Sequence, residues 1–193
     1  MNGTLASGLL LVHVAATLCM AGLIWYVQVV HYPLFAEVGA AASARYEQRH
    51  VALTTWVVGP PLLVEAGTAL LLVPFRPAYV PEGALWVGLA LLLVIWVSTA
   101  LLQIPCHRKL GFGFDAAVHR RLVQSNWLRT AGWTVRSVLV LWMVFSGLQP
   151  RAPGTPAGGA ATGDAARAGS RTAHFCPASV GEDRRFQRSV HHI

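Results

Sequence analysis

Four blocks of predominantly apolar residues dictate what this chain can fold into, because each is long enough to cross about 30 Å of hydrocarbon at about 20 residues per crossing. The blocks are residues 5–30, 51–73, 84–104 and 128–148. Inside a bilayer every backbone N–H and C=O must be satisfied within the segment, so such blocks read as helices. A proline disfavours helix in the residue before it. Pro33, Pro105 and Pro150 are therefore expected to stop the first, third and fourth helices. The second block contains Gly59-Pro60-Pro61. A helix starting there would rise only about 21 Å by Val73, too little to cross, so the second helix must pass through the triplet and is expected to kink there.

Composition closes off the alternatives. The chain is 54% hydrophobic and only 12% charged, with a mean hydropathy of +0.50, whereas soluble domains are about 25% charged. A water-soluble enzyme, a disulfide scaffold and a β-barrel are excluded. The fold expected is all-α: a polytopic four-helix transmembrane bundle over residues 1–148. Residues 149–193 are rich in Gly, Ala, Pro, Arg and Ser and are expected to form a disordered basic tail. Within that tail Cys176-Pro177 and the His191-His192 pair are weak signals for haem or metal. Cys19, Cys106 and Cys176 show no paired spacing that would suggest disulfides. The first apolar block lacks a basic leader and is too long for a signal peptide, so it is expected to remain as a helix.

Lysine and arginine placement sets the expected orientation. The loops 31–50 and 105–127, with the residues just after them, carry Arg45, Arg49, Arg108, Lys109, Arg120, Arg121 and Arg129, while the connection at 75–83 carries only Arg76. The positive-inside rule then places those two loops in the cytoplasm and both termini outside a cell membrane. The net charge of +7 becomes a topology and lipid-headgroup signal. No motif points to nucleic acid. Trp56, Trp127 and Trp133 fit an interfacial belt on the cytoplasmic side. Asp115 reads as the cap of a short surface helix to Gln124, with Val118 and Leu122 on its apolar face, and Phe112 and Phe114 as interfacial anchors just before it.

Polar side chains at membrane depth are expensive and mark candidate functional positions. His13 and Glu65 lie at similar depth from the outer end of their helices and are expected to pair. Gln28 and His31 share a helix face. His13 and His31 are 18 residues apart, five turns and about 27 Å, which fits two ligands of a metal or haem as well as two independent polar anchors. Gln103 and His107 flank the exit of the third helix. Asn126, Arg129, Trp133 and Arg136 recur at three- and four-residue steps as one stripe. Arg136 either snorkels to the headgroups or joins Arg129 and the Trp133 indole in a basic pocket for an anionic or quinone-like oxygen. Together Gln28, His31, His50, Gln103, His107, Asn126, Arg129 and Arg136 are expected to converge at one level in the cytoplasmic half.

The segments LLVHVAATLCMAGLIWYVQVVHYPLF, LQIPCHRKL and NWLRTAGWTVR resemble the small four-helix membrane proteins grouped around fungal anthrone oxygenases, over roughly residues 5–148. Characterised members of that group oxidise a polycyclic phenolic anthrone to a quinone. The resemblance implies an oxygenase-like or redox role on a lipophilic aromatic or quinone-like molecule, with Asn126, Trp127, Arg129, Trp133 and Arg136 as the matching stripe. In that reading His31, His107, Asn126, Arg129 and Arg136 are catalytic and Gln28, Gln103 and Trp133 bind substrate. The chain also resembles the four-helix haem-binding oxidase of the protoporphyrinogen pathway, which implies haem on His13. That family uses a lysine in a later span, whereas Lys109 is the sole lysine here. A third reading is a non-enzymatic membrane subunit or small carrier, whose polar cluster only holds helices together. The expected partners are the bilayer and a lipophilic small molecule, with no bound metal ion assigned.

Overall fold

A computed structural model describes residues 3–149, and within them the chain forms four long rods. The readings made above for the tail, including Cys176, His191 and His192, lie outside the described residues. The first rod is α1 (Gly3–Tyr26), a π-helical turn (Val27–His31) and α2 (Tyr32–Ala36). The second is α3 (Ala40–Phe75). The third is α4 (Glu82–Ser98), a second π turn (Thr99–Gln103) and α5 (Ile104–Leu110), and the fourth is α6 (Ala116–Leu148). All four are long and apolar enough to cross a membrane. At 34, 36, 29 and 33 residues they measure about 44–54 Å, well beyond the hydrocarbon core.

The extra length falls largely where loops were expected. Residues 40–50, 104–110 and 116–127 are helical, so the charged residues of the expected loops 31–50 and 105–127 largely ride on extensions of the same rods. The rods turn back within 37–39 and 111–115 at one end, here called the basic end. The expected surface helix after Asp115 is the first third of α6 rather than a separate element. Asp115 caps it as expected, accepting from the amides of Ala117 at 2.8 Å and Val118 at 3.0 Å. These two amide bonds, Val118's the larger influence, hold the exposed carboxyl below its ordinary range.

Pro33 and Pro105 do not stop their helices, and the two π turns explain why. A proline forfeits its bond to the carbonyl four residues back and crowds it. For Pro33 that carbonyl belongs to Val29, and for Pro105 to Leu101, both inside a π turn. The wider turn, which closes with Tyr32 N–H on the Val27 carbonyl and Ile104 N–H on the Thr99 carbonyl, moves the obstructed carbonyl aside. The rod continues for one or two further turns. The second helix does pass through Pro60 and Pro61, as its length required.

The rods stand in a ring in chain order, and their core is stacked in three layers. At the end carrying Gly3 and Leu148, Leu10, Leu72, Leu85 and Met143 pack together. In the middle, Met20, Ile24, Leu92, Ile95 and Trp133 interlock. Gly132 permits this: a Cβ there would lie 2.8 Å from Ile95 Cγ1, so only glycine lets α6 approach α4 so closely. At the basic end Tyr32, Phe35, Cys106, Leu110 and Leu122 form the third layer. Consecutive rods pack tightly except along the seam between α3 and α4, the loosest of the four.

Candidate functional site

Near the basic end the rods turn polar side chains inward, and two connected groups result. The first starts on α6. Asn126, fully buried, donates to Gln28 Oε1 at 2.8 Å, and Gln28 in turn donates to the Val123 carbonyl at 3.4 Å. This orients the Asn126 oxygen toward Arg129, whose guanidinium donates to it at 3.1 Å. Arg129 Nε remains buried without a partner. Gln103, the last residue of the second π turn, donates to Ser125 at 3.0 Å, and its carbonyl oxygen is likewise buried and unpartnered.

The second group is built on imidazoles. His107 Nδ1 lies 2.5 Å from a carboxylate oxygen of Glu47, whose side chain is 1% exposed. A carboxylate that accepts the Nδ1–H leaves Nε2 as the free acceptor, which is the arrangement a general base requires. Tyr32 reaches that Nε2 with its hydroxyl at 3.4 Å, a long bond that a ligand hydroxyl can replace. His50 lies 6.0 Å from His107 between ring centres and stacks on His31 at 3.8 Å. His31 meets the Tyr46 hydroxyl at 3.5 Å and keeps its Nε2 buried without a partner. His119 braces the layer below, donating to the Tyr32 carbonyl at 3.0 Å. Among the described residues no three His, Cys, Asp or Glu side chains come together as metal ligands would.

Both groups face one cavity of about 270 Å³. Its polar lining is Tyr32, His50, Gln103, His107 and Arg129, and its apolar lining includes Met20, Ile24, Val58 and Leu62. A second, more open basin of about 570 Å³ lies at the basic end, lined by Glu47, Gln48, Arg108 and Phe112. His107, Val51 and Ile104 line both spaces. The imidazole thus stands in the partition between them.

Family models, curated proteins and solved structures give no match to this chain.

Seven of the eight residues expected at one level meet there: Gln28, His31, His50, Gln103, His107, Asn126 and Arg129. Arg136 does not. Two turns further along α6, it forms a buried ion pair with Glu65 of α3 and donates to the Gly88 carbonyl of α4. This also corrects the expected His13–Glu65 pair. Glu65 belongs to Arg136, and His13 instead bonds Thr68 Oγ1 at 2.9 Å. The Thr68 hydroxyl donates to the Val64 carbonyl at 2.7 Å, so the His13 Nδ1 carries the proton. The physical reason is charge: a guanidinium neutralises a buried carboxylate, which an imidazole does only when protonated.

Trp133 is also misplaced by the sequence reading. It is fully buried in the middle layer, with the Arg136 guanidinium 5.7 Å from its ring centre, and lines neither the cavity nor an interfacial belt. Trp56 and Trp127, by contrast, are 81% and 49% exposed. The surroundings of His13 do not fit a haem. The ring is packed among Ala69, Leu85, Gly88 and Met143 around a void of only about 10 Å³. Sequence reasoning missed Glu47, Tyr32, Tyr46 and His119. Glu47 lay in an expected loop, yet Ser43, Glu47, His50 and Thr54 recur at helical steps and could have revealed the stripe.

Proposed function

We propose that this multi-pass membrane protein binds a lipophilic phenol or quinone-like molecule in the cavity at its basic end and carries out oxygenase-like or redox chemistry on it. One observation carries the reading: a largely apolar cavity lined by both a carboxylate-oriented imidazole and an arginine with an unused donor. In this mechanism the ligand hydroxyl displaces Tyr32 from His107 Nε2. The imidazole takes its proton with Glu47 balancing the charge, and Arg129 receives the developing oxyanion. Gln103 supplies a further hydrogen-bond partner, and Gln28 with Asn126 holds Arg129 in place. The proton leaves through the open basin, which His107 and Glu47 also line. For an anthrone-type ring the balance is one CH2 and one dioxygen giving one ketone carbonyl and one water. The resemblance to the anthrone-oxygenase group supports this choice of chemistry. By the positive-inside rule the basic end lies in the cytoplasm and the termini outside.

The test uses the purified protein in lipid nanodiscs with a dihydroxyanthrone, following quinone absorbance and oxygen uptake above the protein-free rate. His107→Asn and Arg129→Gln should each lower the rate about 100-fold, the range for loss of a general base or an oxyanion donor. A wild-type rate equal to that of Arg129→Gln, with no bound anthrone, overturns the proposal. It leaves the polar cluster as a network that only joins helices.

A further inference from the structure

The α3–α4 seam carries a second apolar space in line with the cavity. Along α3, Thr55, Gly59, Leu62, Ala66 and Leu70 recur at three- and four-residue steps and so share one face. The first three line the cavity, and the last two line a separate groove of about 210 Å³ higher on the same seam. The opposite wall repeats the pattern: Gln103 and Thr99 face the cavity, then Trp96, Leu92 and Leu89 face the groove. From Thr55 to Leu70 the stripe is about 22 Å long, more than the roughly 15 Å depth of one leaflet's hydrocarbon.

Polarity along this path is graded. One end presents Arg129 Nε and the Gln103 oxygen, both buried and without partners. The other is lined by Ala66, Leu70, Leu89, Leu92, Leu93 and Trp96 and offers nothing that hydrogen-bonds except the Trp96 indole. A compact tricycle would use the first part of this path and leave the groove empty. Gly59, midway along, has nothing within 4 Å of where a Cβ would sit.

We infer that the site takes a single-tailed lipid: an oxygen-bearing ring head against Arg129, Gln103 and His107, and one long hydrocarbon chain laid along the seam between α3 and α4. This rests on the proposed reading of the cavity and names the ligand class within it. The unpartnered Arg129 donor and Gln103 acceptor at one end and the apolar groove aligned with them at the other select that class. A free acid or a sugar would match only one end of the path.

The experiment uses a decyl-substituted benzohydroquinone with a diazirine at the tail terminus, incorporated with the protein in nanodiscs. Its methyl counterpart, which has a head and no tail, serves as a separate binding probe. Photolabelling followed by peptide mass spectrometry should mark residues 66–70 of α3 and 89–96 of α4, and excess unlabelled decyl compound should remove that labelling. Ala66→Phe, which fills the groove, should abolish the label while the methyl compound still binds. Labelling spread over every lipid-facing surface, or unaffected by excess decyl compound because ordinary acyl chains fill the groove, overturns the inference. If the methyl compound binds in that case, the proposed function survives it. If neither compound binds, both fall.

Discussion

Removing either member of the Arg136–Glu65 pair leaves the other charge buried without its counterion. Arg136→Ala and Glu65→Ala should each destabilise the protein by about 3–5 kcal/mol, whereas the double exchange Arg136→Met with Glu65→Leu should recover most of that loss. Thermal unfolding in detergent, followed by tryptophan fluorescence, separates the three. At the surface, Asp115 gives a pH signature. Its carboxyl is held below its ordinary range by the Val118 and Ala117 amides. The cap therefore stabilises α6 fully above the ordinary carboxylate range and is lost as pH falls through the lowered value. Amide exchange in the first turn of α6 should speed up over that acid interval in the wild type and show no such step in Asp115→Asn. The cost of burying polarity made Gln28, Gln103, Asn126 and Arg129 legible from sequence. Nothing in a linear pattern says which of several buried partners a carboxylate will choose, which is why Glu65 was assigned to His13 rather than to Arg136.

Gly132 sets the distance between α4 and α6, and Gly132→Ala should drive Ile95 out of its place in the middle layer. The expected loss is about 1–3 kcal/mol, the usual cost of overfilling a packed core, read from the same melting experiment. Gly59→Ala should be near neutral sterically because the space is open. The existence and order of the four spans followed from apolar length alone. Their ends did not, because a proline ordinarily disfavours helix in the residue before it. That expectation presumes ordinary helical geometry ahead of Pro33 and Pro105, and each is preceded by a π turn instead. Each π turn also ends on an inward-facing polar residue, His31 in one rod and Gln103 in the other, in keeping with the frequency of such turns at working sites. Glu47 is hidden for the related reason that charged residues beside an apolar block suggest a loop, although a helix leaving the membrane can carry them without ending.

Orientation is testable on the complete chain. With Cys19, Cys106 and Cys176 replaced by alanine, Arg120→Cys should react with an impermeant thiol reagent only after the cytoplasmic side is opened, while Arg76→Cys should react from outside. Labelling of Arg120→Cys in intact cells would reverse the topology. The four rods are longer than the bilayer's hydrocarbon is deep, and their polar chamber sits toward the end where Arg108, Lys109, Arg120 and Arg121 reach water. A guest entering through the α3–α4 seam would stay dissolved in lipid while its head meets protic groups. Its occupancy would then answer to its mole fraction among the surrounding lipids rather than to its aqueous concentration. Doubling the phospholipid at constant guest should empty the chamber much as diluting the buffer would empty a soluble enzyme.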